Sequence, residues 1–444
     1  MMNCNKYFFI GVGGIGMSSI ANYLLDTRNL VLGYDRSSNK LIEKLINHGL
    51  KFTNTLDLEL IPEEFLNDDV IVIYTPAVKK DNIFLDFFLN NKVNKILKRS
   101  EILGQITSES KCIAVAGTHG KTSTSAILSH LLYFNKVKFK SFVGGIMKGF
   151  DTNYLNTGDE YVVVEADEYD RSFLNLNPDY SVITSIEEDH LDVYHDLKEI
   201  YSSFNLFSDN TNKSVVAEKD LNIRKDVSFS INDEADYSAK IIKNEQNGIY
   251  FNFKTPDKLI SNIYVKVIGE HNLKNVICAL AIIDQIEEFN IEEFLPSLAK
   301  FKGIERRMDI YNYGDKIIID DYAHHPTEIE SVLDSIDSNF KNNSKAVIFQ
   351  PHLYSRTRDF MDNFAKVLSN FHEVYLLDIY PAREKPINGI SSEVLLNKID
   401  SLKKEIIKKD DINHIIDKSN CKIISILGAG DLTSNLNKKV FTNE

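Results

Sequence analysis

Three times along the chain an apolar run ends in a glycine-containing or polar loop and is followed by a helical pattern, and this recurrence constrains the fold more than any other feature. The clearest cases are Tyr7–Ile10 into Gly11, Cys112–Ala116 into Gly117 and Ala346–Phe349 into Gln350. A buried parallel strand reads as a near-continuous apolar run, and only a crossover helix returns the chain to start the next one. The fold class predicted is therefore α/β, built on parallel sheets. One unit falls in each third of the 444 residues, so three domains are expected: 1–108, 109–305 and 306–444. The stretch Val227–Lys266, with Asn-Gly at 247–248, reads as a small β excursion inside the middle domain.

Composition narrows the partners. Lys plus Arg is 51 against 64 for Asp plus Glu, a net charge of −13, which repels nucleic-acid backbones and anionic lipid. Four scattered cysteines without C-x-x-C spacing suggest neither a zinc site nor a disulfide framework, and fit a reducing cytoplasm. The uncharged segment Tyr7–Leu25 imitates a membrane span in length, but Gly11, Gly13, Gly14, Gly16, Ser18, Ser19 and Asn22 argue against one. No nucleic-acid and no membrane partner is expected.

Two glycine loops carry the chemistry. Gly11-Val-Gly13-Gly14-Ile15-Gly16 fits G-x-G-x-x-G after a strand, with Asp35 ending the next strand; such a loop offers helix N-terminal amides to a diphosphate. NAD, FAD and a UDP-sugar remain open at this point. The second, Gly117-Thr118-His119-Gly120-Lys121-Thr122-Ser123, is a tighter variant of the phosphate loop, since the usual first glycine would fall at Val115. Its amides can cradle phosphates, Lys121 can neutralise them and Thr122 can reach Mg²⁺. Lys121 reads as an exposed loop residue whose removal spares the fold.

Acids end the neighbouring strands. Tyr161-Val-Val-Val-Glu165-Ala-Asp167-Glu168 and Ser181 to Glu187-Glu-Asp-His190-Leu-Asp192 both deliver carboxylates after the phosphate loop, with Glu165 suited to Mg²⁺. Further along, Gly269-Glu-His271-Asn-Leu-Lys-Asn275 opens a helix with groups suited to a base or ribose, although N-capping by Asn272 explains it equally well. Arg306-Arg307 sits at the second joint, and Asp320-Asp321-Tyr-Ala-His324-His325-Pro-Thr-Glu328 follows a strand. An NAD-linked oxidoreductase would leave Lys121, Glu165 and Arg306 without a use. A non-enzymatic nucleotide sensor would have none for the carboxylates and His324.

Taken in order, G-V-G-G-I-G-M-S at 11–18, G-T-H-G-K-T at 117–122, E-A-D-E at 165–168, D-H-L-D at 189–192, G-E-H-N at 269–272, R-R-M-D at 306–309, D-D-Y-A-H-H-P-T-E at 320–328 and Q-P-H at 350–352 resemble the Mur ligase family over essentially the whole chain. The resemblance implies an N-terminal Rossmann-like domain for the UDP-substrate, a central phosphate-loop ATPase-like domain and a C-terminal Rossmann-like domain for the amino acid. It implies an ATP-dependent ligase that joins L-alanine to the lactyl carboxylate of UDP-N-acetylmuramate through an acyl phosphate, in peptidoglycan synthesis. The alternative is a relative that attaches a murein peptide to the same nucleotide. That relative shares E-A-D-E-Y-D but usually lacks the opening glycine loop.

By the same resemblance, ATP meets Gly117, Thr118, Gly120, Lys121, Thr122, Ser123, His271, Asn275, Arg306 or Arg307, and Asp321. Mg²⁺ meets Thr122, Glu165 and His190. The UDP-N-acetylmuramate arm meets Gly13, Gly14, Ile15, Gly16, Asp35, His119 and the Gly144-Gly145 turn. His324, His352 and Arg356 contact alanine and the acyl phosphate, and Lys121, His190, Arg306, His324 and Arg356 carry the chemistry. A monomer or weak dimer is expected. Two departures bear on the amino-acid pocket: Leu353 stands where the alanine-adding members have Arg after Q-P-H, and Arg383 where glycine is frequent.

Overall fold

The computed structural model describes residues 5–66, 69–79, 81–90, 95–189, 193–245, 247–341, 343–382, 384–433 and 436. Three sheets succeed one another along the chain. The first has Lys6–Ile10 at its centre, flanked by Leu30–Tyr34 and Val70–Tyr74, with Lys51–Thr53 and Lys95–Lys98 outermost, all parallel. The glycine loop thus leaves the middle strand at the carboxyl edge of the sheet, where strand order reverses and a crevice opens. The helix Ile15–Asp26 begins directly after it.

In the central sheet Lys111–Ala116 lies between Tyr161–Glu165 and Tyr180–Ile183, parallel to both. This register sets Val115 beside Glu165 and Ala116 beside Ile183. The phosphate loop therefore emerges between the two strands that end in acids. Its helix, Lys121–Phe134, is buried along most of its length and packs on Glu270–Asp284, itself a run of buried apolar residues from Val276 to Ile283. A helix apolar on all sides needs neighbours on all sides, so it is locked in the interior.

The β excursion expected at Val227–Lys266 inside the middle domain is built into that domain's own sheet. Val227–Ile231 pairs in parallel with Ser214–Glu218, and Tyr237–Glu245, Gly248–Lys254 and Leu259–Val265 continue the same ten-stranded sheet. Its polar alternation reflects a sheet margin with one wet face, not an independent fold. The third sheet orders Asp309–Tyr313, Lys316–Asp321, Ile423–Leu427, Lys345–Phe349, Glu373–Leu376 and Lys403–Ile406, with only the first strand antiparallel.

The first and second sheets share a core. Met17, Ile20, Ala21 and Leu24 of the first helix pack with Phe142, Tyr154 and Val162. Side chains of this size contribute ~1.5–3 kcal/mol each when fully buried. At the second joint Gly303, Arg306 and Met308 all have positive φ (86°, 59° and 47°). Two non-glycine residues in that region store strain, here held by Lys148 N–H donating to Gly303 O, Glu305 N–H to Ile146 O and Met308 N–H to the Asp321 carboxylate at 2.6 Å. Among the described residues no helix is long and apolar enough to cross a membrane.

Candidate active site

The phosphate loop is shaped by its glycines. Gly120 has φ 83° and ends the loop at the start of Lys121–Phe134, and a Cβ there would strike the Asn275 side-chain oxygen. The loop is stitched to the next strand end: Thr118 N–H donates to Ser185 O at 2.9 Å, His119 N–H to Ser185 Oγ at 3.0 Å, and Glu187 N–H to Thr118 Oγ1 at 2.9 Å. What remains for a ligand is the amide-rich start of the helix.

Lys121 is not an exposed lysine. Its Nζ donates to Gly117 O at 2.6 Å, Thr118 O at 3.2 Å and Glu168 Oε1 at 2.9 Å, and its side chain is 14% exposed against 4% for Glu168. Burial works against the ammonium form, but the carboxylates of Glu168, Asp167 and Glu165 outweigh it and hold the group above its ordinary value. Beside it Thr122 Oγ1 donates to Glu165 Oε1 at 3.1 Å, and Glu165 Oε2 accepts Gly144 N–H at 2.8 Å. An all-oxygen pair held in place by a backbone amide suits a hard cation such as Mg²⁺. Gly144 and Gly145 lie within the strand Phe139–Met147 rather than in a turn; a Cβ on Gly144 would collide with Glu165. His190 lies outside the described residues, as does Arg383.

A cavity of about 160 Å³ joins the central and C-terminal domains. Its walls include Gly120, Thr122, Ser123, His271, Asn275, Arg307 and Asp321, so most of the ATP residues expected from the sequence meet here. A larger cleft of about 1190 Å³ shares Ser123, Asn272 and Arg307 with it. Of the two joint arginines, Arg307 is the one in the smaller cavity. Its guanidinium lies 5.0 Å over the Tyr322 ring, with one nitrogen 3.8 Å from Glu328. Arg306 turns into the C-terminal domain instead, donating to Asp320 Oδ1 at 3.2 Å and to Gly428 O at 2.6 Å. Asp321 accepts from Met308 N–H and from Ala323 N–H at 2.7 Å, and burial pushes its pKa up to about 6 against the pull of Arg307. Burial, then Arg307, pushes His271 down to about 4. Asn272 does not cap its helix; Gly269 stands at that position, and the Asn272 amide donates to Ile268 O at 2.8 Å.

His119 was expected beside the UDP arm, but its ring points toward the C-terminal domain. Nδ1 lies 3.3 Å from Glu328 and Nε2 3.5 Å from Glu187. Burial disfavours its charged form, yet the two carboxylates raise its pKa to about 9. Glu187, also bonded by Thr327 Oγ1 at 2.8 Å, is held down to about 2 despite its burial.

His324, His352 and Arg356 come together as expected. The two imidazoles lie 5.8 Å apart, and Arg356 NH1 is 3.2 Å from His352 Nδ1. Arg356 is also clasped by Asp189 of the central domain, NH2 to Oδ1 at 2.7 Å and to Oδ2 at 3.0 Å, with Nε to Oδ1 at 3.1 Å. His324 Nδ1 faces Tyr322 O at 3.0 Å and Glu328 Oε2 at 3.1 Å. A carbonyl can only accept, so Nδ1 carries a proton and Nε2 is the nitrogen left for a ligand. Leu353 is buried with φ 69°, its N–H donating to Tyr380 O.

In the first domain Asp35 Oδ2 accepts Gly13 N–H at 2.8 Å and Asn39 donates to Gly13 O at 3.1 Å. Gly14 precedes Ile15, the first helical residue, and a Cβ on Gly16 would strike the guanidinium of Arg99. Arg99 in turn bonds Asp167 at 2.7 Å, tying the glycine loop to the acids of the central sheet. Arg99, Glu168 and Asp189 were given no role by sequence reasoning. Glu168 and Asp189 stood inside quoted acidic motifs, whereas Arg99 carried no local signal.

Family models match this architecture sheet by sheet: the Mur ligase family, catalytic domain at residues 6–111, the Mur ligase middle domain at 115–283, and the Mur ligase, glutamate ligase domain at 306–432. The chain belongs to the Mur ligase family. Curated relatives named UDP-N-acetylmuramate--L-alanine ligase are 43% identical in Christiangramia forsetii (97% of this chain, 96% of the relative) and 41% identical in Flavobacterium psychrophilum (97% of each). The crystal structure of UDP-N-acetylmuramate-alanine ligase from Thermotoga maritima has a TM-score of 0.81 at 28% identity over 96% of both chains. A murein peptide ligase from Psychrobacter arcticus shares the fold with a TM-score of 0.71 at 20% identity, over 96% of both chains.

Proposed function

We propose that this chain is an ATP-dependent ligase that joins L-alanine to the lactyl carboxylate of UDP-N-acetylmuramate in peptidoglycan synthesis. The observation that carries the reading is full-length similarity to relatives of that name, together with a phosphate loop whose His119 meets Glu328, the neighbour of His324, across one joint. We assign the domain joints to 108/109 and 305/306, and infer a cytoplasmic monomer or weak dimer.

The lactyl carboxylate attacks the γ-phosphorus of ATP, ADP leaves, and the alanine amine attacks the resulting acyl phosphate; the tetrahedral intermediate then expels phosphate. Such chemistry needs positioning and charge compensation more than a covalent nucleophile. Lys121 moves from Gly117 O and Thr118 O onto the transferring phosphoryl group while Glu168 keeps it charged. Thr122 and Glu165, with His190, would hold Mg²⁺, which neutralises phosphate charge. Arg307, His271, Asn275 and Asp321 line the nucleotide cavity. His324 Nε2 takes the proton from the alanine ammonium, its tautomer fixed by Tyr322 O. Gly13, Gly14, Ile15, Gly16 and Asp35 receive the UDP diphosphate.

The test is phosphate release with ATP and Mg²⁺, adding UDP-N-acetylmuramate and L-alanine separately and then together. Steady release is expected only with both, because the acyl phosphate turns over only when an amine arrives. Equal release without alanine, or release driven by a murein peptide and not by alanine, overturns the reading.

A further inference from the structure

Between the central and C-terminal domains, both ring nitrogens of the buried His325 have no hydrogen-bond partner, and the neighbouring His119 Nε2 has only Glu187, 3.5 Å away. Buried polar groups are almost always satisfied, so unpaired imidazole nitrogens facing a carboxylate call for an explanation. His119 comes from the phosphate loop, Glu187 from the end of the strand Tyr180–Ile183, and His325 stands just before the helix Pro326–Asn339. One ligand atom from each of the three lies within 4.8 Å of the other two. His325 is 4% exposed, and its ring neighbours are His119 at 5.1 Å and Phe360 at 4.7 Å between centroids.

The surroundings have the form of a second coordination shell. Glu328 lies 3.3 Å from His119 Nδ1 and so fixes a proton there, and a cation bound at Nε2 displaces the proton that this nitrogen shares with Glu187 at 3.5 Å. Thr327 donates to Glu187 Oε2 at 2.8 Å and orients that carboxylate. A carboxylate behind one imidazole nitrogen, with the other nitrogen turned to the metal, is the arrangement that orients zinc-bound histidines. Two imidazoles and one carboxylate form a borderline donor set, unlike the oxygen pair of Thr122 and Glu165. Zinc bonds of about 2.0–2.2 Å need the donors closer than they stand here. A small approach of the two domains would supply that movement, because His325 lies across the joint from His119 and Glu187.

We infer that His119, Glu187 and His325 form a site for a borderline divalent cation of the Zn²⁺ class, and that its occupation ties the central and C-terminal domains together. With three protein ligands the fourth position is left to water.

The experiment uses the full-length chain stripped with a chelator and titrated with Co²⁺ alone. One equivalent is expected to bind, with the intense visible absorption of low-coordinate Co²⁺. Zn²⁺ should displace it, and a large excess of Mg²⁺ should not. Zn²⁺ should also raise the thermal midpoint of the wild type. Both effects should vanish in His325→Phe, which keeps ring volume against Phe360, and in Glu187→Gln, which serves if the first variant does not fold. Glu328→Gln should weaken Co²⁺ binding by about 10–100-fold. Absence of the visible band, its displacement by Mg²⁺, or its persistence in both His325→Phe and Glu187→Gln overturns the inference.

Discussion

At the scale of single residues, the interior position of Lys121 changes what its mutation should do. The ammonium is both the charge expected at the phosphoryl group and the partner of a buried Glu168 carboxylate. Lys121→Ala should lower phosphate release by more than tenfold, at least ~1.4 kcal/mol of transition-state stabilisation. It should also destabilise the fold by about 3–5 kcal/mol, because it strands a buried charge. Adding Glu168→Gln should restore much of the denaturation midpoint without restoring turnover; recovery of both would assign Lys121 a structural role alone. His271 makes a pH prediction. Its pKa is pushed down to about 4 in the folded chain, from about 6.5 unfolded. Between these values the unfolded chain binds more protons, so stability is full above pH 6.5 and declines as pH falls toward 4. Asp321, raised to about 6, works in the opposite sense between its ordinary value and 6. His271→Gln should therefore flatten the acid limb of a melting-temperature profile, and an unchanged limb would remove His271 from that account.

At the scale of elements, much of the fold was legible because strand-loop-helix units announce themselves locally. The strands Lys6–Ile10, Lys111–Ala116 and Lys345–Phe349 all begin within one residue of the expected apolar runs. The glycine loops were legible for the same reason, since helix starts and tight turns are properties of neighbouring residues. Gly144 and Gly145 misled because two adjacent glycines suggest a turn, whereas here their missing Cβ atoms make room for Glu165, Thr122 and Ile304 on a strand. Between Val227 and Lys266 the β character was legible, whereas the parallel pairing of Val227–Ile231 with Ser214–Glu218 left no local mark. The glycine loop of the first domain yields a third prediction. A Cβ on Gly13 would come within 2.8 Å of Ile42 Cδ1 and 2.9 Å of Asp35 Oδ2. Gly13→Val should raise the KM for UDP-N-acetylmuramate several-fold and leave that for ATP nearly unchanged. A rise confined to ATP would exchange the assignments of the two nucleotide loops.

At the scale of the molecule, the site is made of pairs that join different domains: Arg99 with Asp167, His119 with Glu328, and Arg356 with Asp189. No sequence reading could pair them, because each partner lies in a separately folded unit and only domain apposition brings them together. Arg356 shows the consequence. Its residue type was legible as a carboxylate or phosphate contact, but its partner in this structure is a protein carboxylate, held through two guanidinium nitrogens with both side chains nearly out of solvent, 4% and 11% exposed. Such a planar pair is geometrically exacting, and breaking it leaves an uncompensated charge inside. It therefore acts as a clasp that favours apposition of the central and C-terminal domains. Asp189→Asn should weaken the clasp, lower stability by up to about 3–5 kcal/mol and increase the radius of gyration seen by small-angle scattering in the absence of substrates. Arg356→Lys should do the same, because a point-like ammonium cannot reproduce the bidentate contact. If both variants scatter like the wild type, apposition of these domains depends on the shared joint and cavity walls, and the Arg356–Asp189 pair is a consequence of closure rather than one of its causes.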